Sequence, residues 1–206
     1  MAAAVSHPSS PVRKLVAIDH RAYATYAASV DDPQAFCIPP ITTPRLLLRG
    51  ARRADFDAFA ADNADPLTRA HVAPLDRRMA WRMFTAAMGA WFIDGAGWWM
   101  LEQRVTGELV GMVGAFFREG LEGEARGDLE LGWLIIRRHW GCGYATEAAR
   151  AALAFGFDTL GVDRAIAHID AANGASIRVS EHIGMVFEGE VDFYAERLGR
   201  YAIARS

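Results

Sequence analysis

The segment from Arg137 to Phe157, RRHWGCGYATEAARAALAFGF, sets two glycines, Gly141 and Gly143, one residue apart at the start of an amphipathic helical pattern. A helix N-terminus exposes unpaired N–H groups and the positive end of the helix dipole, an arrangement suited to a phosphate or pyrophosphate. Glycines there let a ligand approach the backbone, Arg137 and Arg138 add positive charge, and Thr146 adds a hydroxyl in the first turn. The same residues also fit a tight strand-to-helix turn that needs glycine only for its backbone angles. Two nucleotide motifs fail on spacing. A G-x-G-x-x-G fingerprint needs a third glycine where Thr146 stands, and a Walker loop needs Gly-Lys-Ser/Thr, whereas this segment holds no lysine. The pattern that remains is Arg-x-x-Gly-x-Gly/Ala, met by Arg138, Gly141 and Gly143.

Composition narrows the chemistry further. The net charge of −3 and the lack of a basic patch give no footing for nucleic acid. Cys37 and Cys142 do not make a disulfide framework, and no Cys or His pair shows metal-ligand spacing, which points to a reducing compartment. No segment approaches the ~18 apolar residues of a membrane span, and the start has no leader-like apolar run. The expectation is a soluble, cytoplasmic protein with no nucleic acid or membrane partner, working as a monomer or homodimer.

Residues 1–40, broken by five prolines, read as an N-terminal extension of unknown role. A short helix over Ile18 to Ser29 would carry Tyr23 and Tyr26 onto the main body or a partner chain; an extension without function is the simpler reading. From Ile41 the elements follow in order. TPRLLLRG is a strand, RADFDAFAADNAD a helix closed by Pro66, and DRRMAWRMFTAAMGAWFIDG a second helix stopped at Gly95. WWMLEQRV and ELVGMVGAFF form a hairpin about Thr106 and Gly107. An acidic, glycine-rich loop leads to LELGWLII, where Gly132 predicts a bulge or a close backbone approach. A helix over 144–160, the strand DRAIAHIDA, a helix capped by Asn173 and closed at Gly184, and two last strands complete an α/β pattern around one mixed sheet.

With the glycine loop, TPRLLLR, ELGWLI, GYATEA and NGASIRVSEHIGM followed by FEGE all in order, the sequence resembles the GCN5-related N-acetyltransferase (GNAT) family. Within it, the chain resembles the RimJ/RimL-like branch of ribosomal-protein N-terminal acetyltransferases. The resemblance implies a GNAT domain over residues 41–206, with a central twisted mixed sheet, splayed strands and flanking helices. It implies acetyl-CoA as cofactor, CoA as product, and a small-molecule or peptide amine as acceptor. By carry-over, Trp133, Leu134 and Ile136 give main-chain contacts to the pantetheine arm, and an amide of that splayed strand polarises the acetyl carbonyl. Arg138, His139, Gly141, Cys142, Gly143, Tyr144, Ala145 and Thr146 match the pyrophosphate loop, with Cys142 at its variable position and not a nucleophile. Asn173 and Ser176 match the residues that meet the pantetheine near the thiol.

Many GNAT enzymes carry a tyrosine acid seven residues after this asparagine, where the present chain has Ser180; Ser176 is then the hydrogen-bond donor expected near the sulfur. A primary amine must lose a proton before it attacks, so a base or a water chain is needed. Glu130 is the first candidate and Glu196, in DFYAERLGR, the second, with Tyr194 a weaker candidate for substrate contact. Both acids also fit a solvent-facing strand. The loop acids Glu119, Glu122, Glu124 and Asp128 are a solvated run or an attractor for a cationic acceptor. Trp81, Trp91, Trp98 and Trp99 read as core, with Trp81 or Trp91 free to line the acceptor cleft, and His168 reads as structural. The implied reaction is direct attack of the amine on acetyl-CoA in a ternary complex. The alternative from another class is a GNAT-like CoA-binding sensor or partner subunit without turnover.

Overall fold

Short apolar runs bounded by glycine, proline and charged residues become strands here, and the longer periodic runs become helices. The computed structural model describes residues 38–71, 73–118, 128–193 and 196–205. The helix expected over Ile18 to Ser29, and Cys37, Glu119, Glu122, Glu124 and Tyr194, lie outside the described residues. The strands are β1 (Ile41–Thr42), β2 (Leu46–Arg49), β3 (Gly97–Gln103), β4 (Leu109–Phe117), β5 (Leu129–Ile135), β6 (Arg164–Ile169), β7 (Val186–Phe193) and β8 (Glu196–Ala204). The helices are α1 (Phe56–Ala64), α2 (Arg77–Asp94), α3 (Tyr144–Phe155) and α4 (Gly174–His182).

The strands form one sheet in the order β1-β2-β3-β4-β5-β6-β8-β7. Every neighbouring pair is antiparallel except β5 and β6, which the α3 crossover makes parallel. The element order matches the sequence expectation, with the two-residue β1 added. The helix expected over 144–160 divides: α3 ends at Phe155, and a π turn over Gly156–Leu160 closes at Gly161, φ +68°. A Cβ on Gly156 would lie 2.4 Å from Leu129 Cδ2, so the chain widens where it is pressed against β5.

Each face of the sheet has its own core. Phe56, Phe59, Phe84 and Ala87 of α1 and α2 cover Met100 and Met112 on one face. Ala148, Ala149, Ala152 and Leu153 of α3 cover Val113, Leu131, Ala165 and Ala167 on the other. The alanine bias of the chain thus has a use, since small residues let α3 lie close to the strands. Trp91, one of the two residues expected to line a cleft, is instead 2% exposed and packs edge-on against Trp99 and Phe155. Gly132 forms no bulge, because the β4–β5 register runs through it unbroken opposite Gly114. The close approach there is a side chain: a Cβ would stand 2.6 Å from the Trp98 indole at Gly132 and at Gly114 alike.

The turn into α1 hangs on a buried ion pair. Arg49 Nη1 and Nη2 donate to Asp55 Oδ2 and Oδ1 at 2.7 and 2.9 Å, and Arg49 Nε donates to Glu102. Asp55 also accepts from the Arg52 N–H at 2.7 Å. Burial raises the Asp55 pKa, but the bonds from Arg49 and Arg52 outweigh it and hold the carboxyl below its ordinary value of 3.8. A depressed carboxyl contributes stability that is present above its unfolded pKa and is lost as pH falls through the folded value. Asp55→Asn strands the Arg49 charge and is expected to lower unfolding free energy at pH 7 by about 3 kcal/mol. In urea titrations its stability should also fall less steeply than that of the wild type below pH 4; equal slopes would show that Asp55 carries no such linkage.

Candidate active site

β5 and β6 pair over only Leu129–Ala165 and Glu130–Ile166, then part. β5 stays bound to β4 through Ile135, and β6 to β8 through Ile169, so a wedge opens between two anchored halves of the sheet. Ile136 donates its N–H to Val110 O at 3.0 Å. Alternate residues of a strand turn their polar backbone to the same edge, so Leu134 and Ile136 face β4, not the wedge. The main chain of Leu134 and Ile136 therefore does not face the wedge as expected, whereas that of Trp133 and Ile135 does. The Ile135 carbonyl already accepts from Trp140 Nε1 at 2.6 Å.

At the end of β5 the chain makes one 3-10 turn, Arg137–His139, and enters α3 through Gly141 and Gly143, both at φ +76°. That left-handed conformation is what glycine supplies. The first helical bond runs from Glu147 N–H to Gly143 O, so the amides of Tyr144, Ala145 and Thr146 have no intrahelical partner. His139 does not join them. Its N–H is bonded to Ile136 O, and its Nε2 is buried with no hydrogen-bond partner among the described residues. Burial, then the neighbouring Arg138 charge, lowers its pKa, which keeps the ring neutral. Arg137 is tied to Asp65 at 2.8 Å, and Arg138 reaches Leu109 O at 3.4 Å. Cys142 is exposed.

The loop is held from behind by the turn between β1 and β2. Arg45 Nη1 donates to Cys142 O at 2.7 Å, its Nε to Glu147 Oε2 at 2.6 Å, and its guanidinium lies 4.7 Å from the Tyr144 ring centre. Glu147 Oε1 accepts from Thr43 Oγ1 and from the Arg45 N–H at 2.6 and 2.8 Å. Burial raises the Glu147 pKa, but these bonds outweigh it and hold the carboxyl below its ordinary value.

Across the wedge, Asn173 Oδ1 caps α4 by accepting from Ser176 N–H at 3.0 Å. Trp133 Nε1 donates to Ser176 Oγ at 3.2 Å, which leaves the serine hydroxyl proton free to be donated elsewhere. Ser180 is fully buried and bonded to Ile177 O, so it offers nothing to a leaving group. The connector between α1 and α2 crosses the mouth, tied by Asp65 to Arg137 beyond β5 and by His71 to Asp170 beyond β6, at 2.9 Å.

On the α1 and α2 face, Glu130 sits at the apex of the wedge, 6% exposed. Arg118 Nε and Nη2 donate to its Oε2 and Oε1 at 2.7 and 3.0 Å. His168 Nδ1 stands 3.4 Å from Oε1. Burial raises the Glu130 pKa, but the contacts with His168 and Arg118 outweigh it and the net shift is downward. A carboxylate held this way is a poor direct proton acceptor. Two aromatic pairs flank it: Trp98 stacks on Phe116 at 5.2 Å, and Phe193 lies tilted against His168 at 4.6 Å. The Arg118 guanidinium lies 5.5 Å from Phe116 and 4.7 Å from Phe193. Glu196 opens β8 opposite Phe193 and is exposed.

A family profile described as an acetyltransferase (GNAT) domain matches residues 45–186. The chain belongs to the GNAT acetyltransferase family. The uncharacterized N-acetyltransferase YoaA of Bacillus subtilis is 30% identical over 167 residues, 78% of this chain and 90% of that protein. YkkB of the same organism is 44% identical over 91 residues, 44% of this chain, and the match spans only 51% of YkkB. The crystal structure of an acetyltransferase from Agrobacterium tumefaciens superposes with a TM-score of 0.73 at 30% identity, covering 85% of this chain and 100% of that one. This GNAT domain therefore has the mixed, splayed sheet that the sequence resemblance implied, and by family it is an N-acetyltransferase. No helix among its described residues is long and apolar enough to cross a membrane.

The GNAT wedge brings Glu130, Trp133, Ser176, Asn173 and the glycine loop around one opening, and leaves Glu196 at its rim. Sequence reasoning read His168 as structural and Trp98 as core, and passed over Arg118 and Arg45. Only for Arg45 was there a signal, its place in TPRLLLR; the others gather through strand register. Glu147→Ala removes the acceptor that joins the β1–β2 turn to the loop. Hydrogen exchange should speed up about tenfold or more across residues 141–146, while exchange in β4 stays unchanged; an unaltered loop would show that Glu147 does not hold it.

Proposed function

We propose that this GNAT protein transfers the acetyl group of acetyl-CoA to a primary amine, on a protein N-terminus or a small molecule, by direct attack in a ternary complex. The observation that carries the reading is an open β5 edge that runs straight into a helix N-terminus with unpaired amides. A pantetheine arm is an extended amide chain that can pair with such an edge, and a pyrophosphate is an anion that such a terminus accepts. The amides of Gly141, Cys142, Gly143, Tyr144, Ala145 and Thr146 hold the pyrophosphate, with Arg138 adding charge. The main chain of Trp133 and Ile135 meets the pantetheine, Asn173 and Ser176 line its far side, and the Ser176 hydroxyl donates toward the sulfur. Bound acetyl-CoA supplies the activated thioester. Glu130 fixes the charge at the apex of the wedge, and Glu196 edges the acceptor entrance.

The motifs TPRLLLR and NGASIRVSEHIGM, and a buried serine where other members carry a tyrosine acid, support a RimJ/RimL-like place in the family. In this reading residues 41–206 are the cytoplasmic catalytic domain, a monomer or homodimer, and 1–40 an extension. One observation favours a second reading, a CoA-binding sensor without turnover: both Glu130 oxygens are taken by Arg118. An amine panel with acetyl-CoA, including short peptides with free N-termini, separates the two. Amine-dependent release of CoA thiol is expected; CoA binding without turnover on any amine would favour the sensor. Gly141→Asp should weaken CoA binding at least tenfold relative to Gly141→Asn in calorimetry. The two variants share the backbone strain and differ only in charge, so equal affinities would remove the anion site from the loop.

A further inference from the structure

His168 lies on the part of β6 that has already left β5. The last paired residues are Glu130 and Ile166, and His168 follows Ile166 by two positions, so its side chain emerges on the same face as Glu130 but over the open wedge. Gly132, two residues beyond Glu130 on β5, has no side chain of its own, and the Trp98 indole lies over it. The ring is 12% exposed and lies against Phe193 with its plane tilted by 32°, and its Nδ1 is buried 3.4 Å from Glu130 Oε1 without a hydrogen-bond partner among the described residues. The Glu130 carboxylate is the acceptor that a proton on Nδ1 would face, and with the proton there Nε2, on the opposite edge of the ring, is a lone-pair acceptor. Glu130, by contrast, has both oxygens engaged by Arg118.

We propose that His168 takes the proton from the acceptor amine, and that Glu130 is the positioning residue that sets its tautomer. This rests on the acetyltransferase reading above. The amine arrives as an ammonium ion, and one proton passes to His168 Nε2, directly or through one water, and from there to solvent. The freed lone pair forms the C–N bond to the acetyl carbonyl carbon while the C–S bond breaks. The second proton on that nitrogen goes to the departing sulfur, so the products are the amide, the free thiol and one proton. The charged groups around the ring are Glu130 of β5, Arg118 beyond β4, and Arg200 of β8, which is paired across from His168 and bonded to Glu188. Arg118 and Arg200 are each matched by a carboxylate, so the face around the ring carries no unbalanced positive charge to repel an ammonium ion.

Two measurements test this. In the wild-type protein without ligands, nitrogen NMR of the neutral His168 ring should show the proton on Nδ1, and Glu130→Gln should weaken that preference; a proton resident on Nε2 would overturn the proposal. In the amine assay, His168→Gln should lower kcat at least a hundredfold with CoA affinity and melting temperature kept. The acid limb of the wild-type pH–rate profile should also disappear. Wild-type kcat and an intact acid limb in His168→Gln would overturn the proposal while leaving the acetyltransferase reading standing. A wild-type protein that acetylates no amine would overturn both.

Discussion

Parallel strands that pair over two residues and then separate leave a stretch of backbone without partners, and the site follows from that one break between β5 and β6. An unpaired strand edge inside a sheet is costly unless something meets its N–H and C=O groups. The break persists because each strand is secured on its other side, β5 by seven paired residues of β4 and β6 by six of β8. Side chains then keep the strands apart. Trp133 reaches across one face of the wedge to Ser176, and His168 and Phe193 occupy the other.

The loop that follows β5 depends on the same anchorage. Two left-handed glycines let the chain turn from strand to helix with its amides outward, yet glycine gives no rigidity. Stiffness comes from the β1–β2 turn, where Arg45 and Thr43 meet Glu147 and the Cys142 carbonyl. Arg137, which sequence reasoning counted as charge for an anion, is bonded to Asp65 and serves the connector over the mouth instead. The positive end of α3 and Arg138 are what remain to attract a phosphate.

Buried charge is used sparingly, and in matched sets. Arg49 with Asp55 and Glu102 secures the turn into α1, and Arg118 with Glu130 secures the apex of the wedge. Removing one member of such a set leaves an unpaired charge in a dry place, which costs far more than the pair contributes when whole. That is also why Glu130 changes meaning between sequence and structure. As an acid on a strand beside the loop it reads as a base; with Arg118 across both oxygens it is a fixed negative charge.

Local pattern was enough for the elements and for part of the site. Apolar runs between glycines and prolines marked the strands, Asn173 and Gly184 marked the ends of α4, and the spacing of Arg138, Gly141 and Gly143 marked the loop, because each depends on backbone preferences within a few residues. The sequence by itself therefore determined an α/β domain with a strand-to-helix glycine loop of the GNAT kind. Only the tertiary structure decided which strand amides face the wedge, that Trp91 is core while Trp98 lies over Gly114 and Gly132, and that His168 stands beside Glu130. Those facts are set by register between strands distant in the chain, and a shift of one residue would turn every one of these side chains to the opposite face.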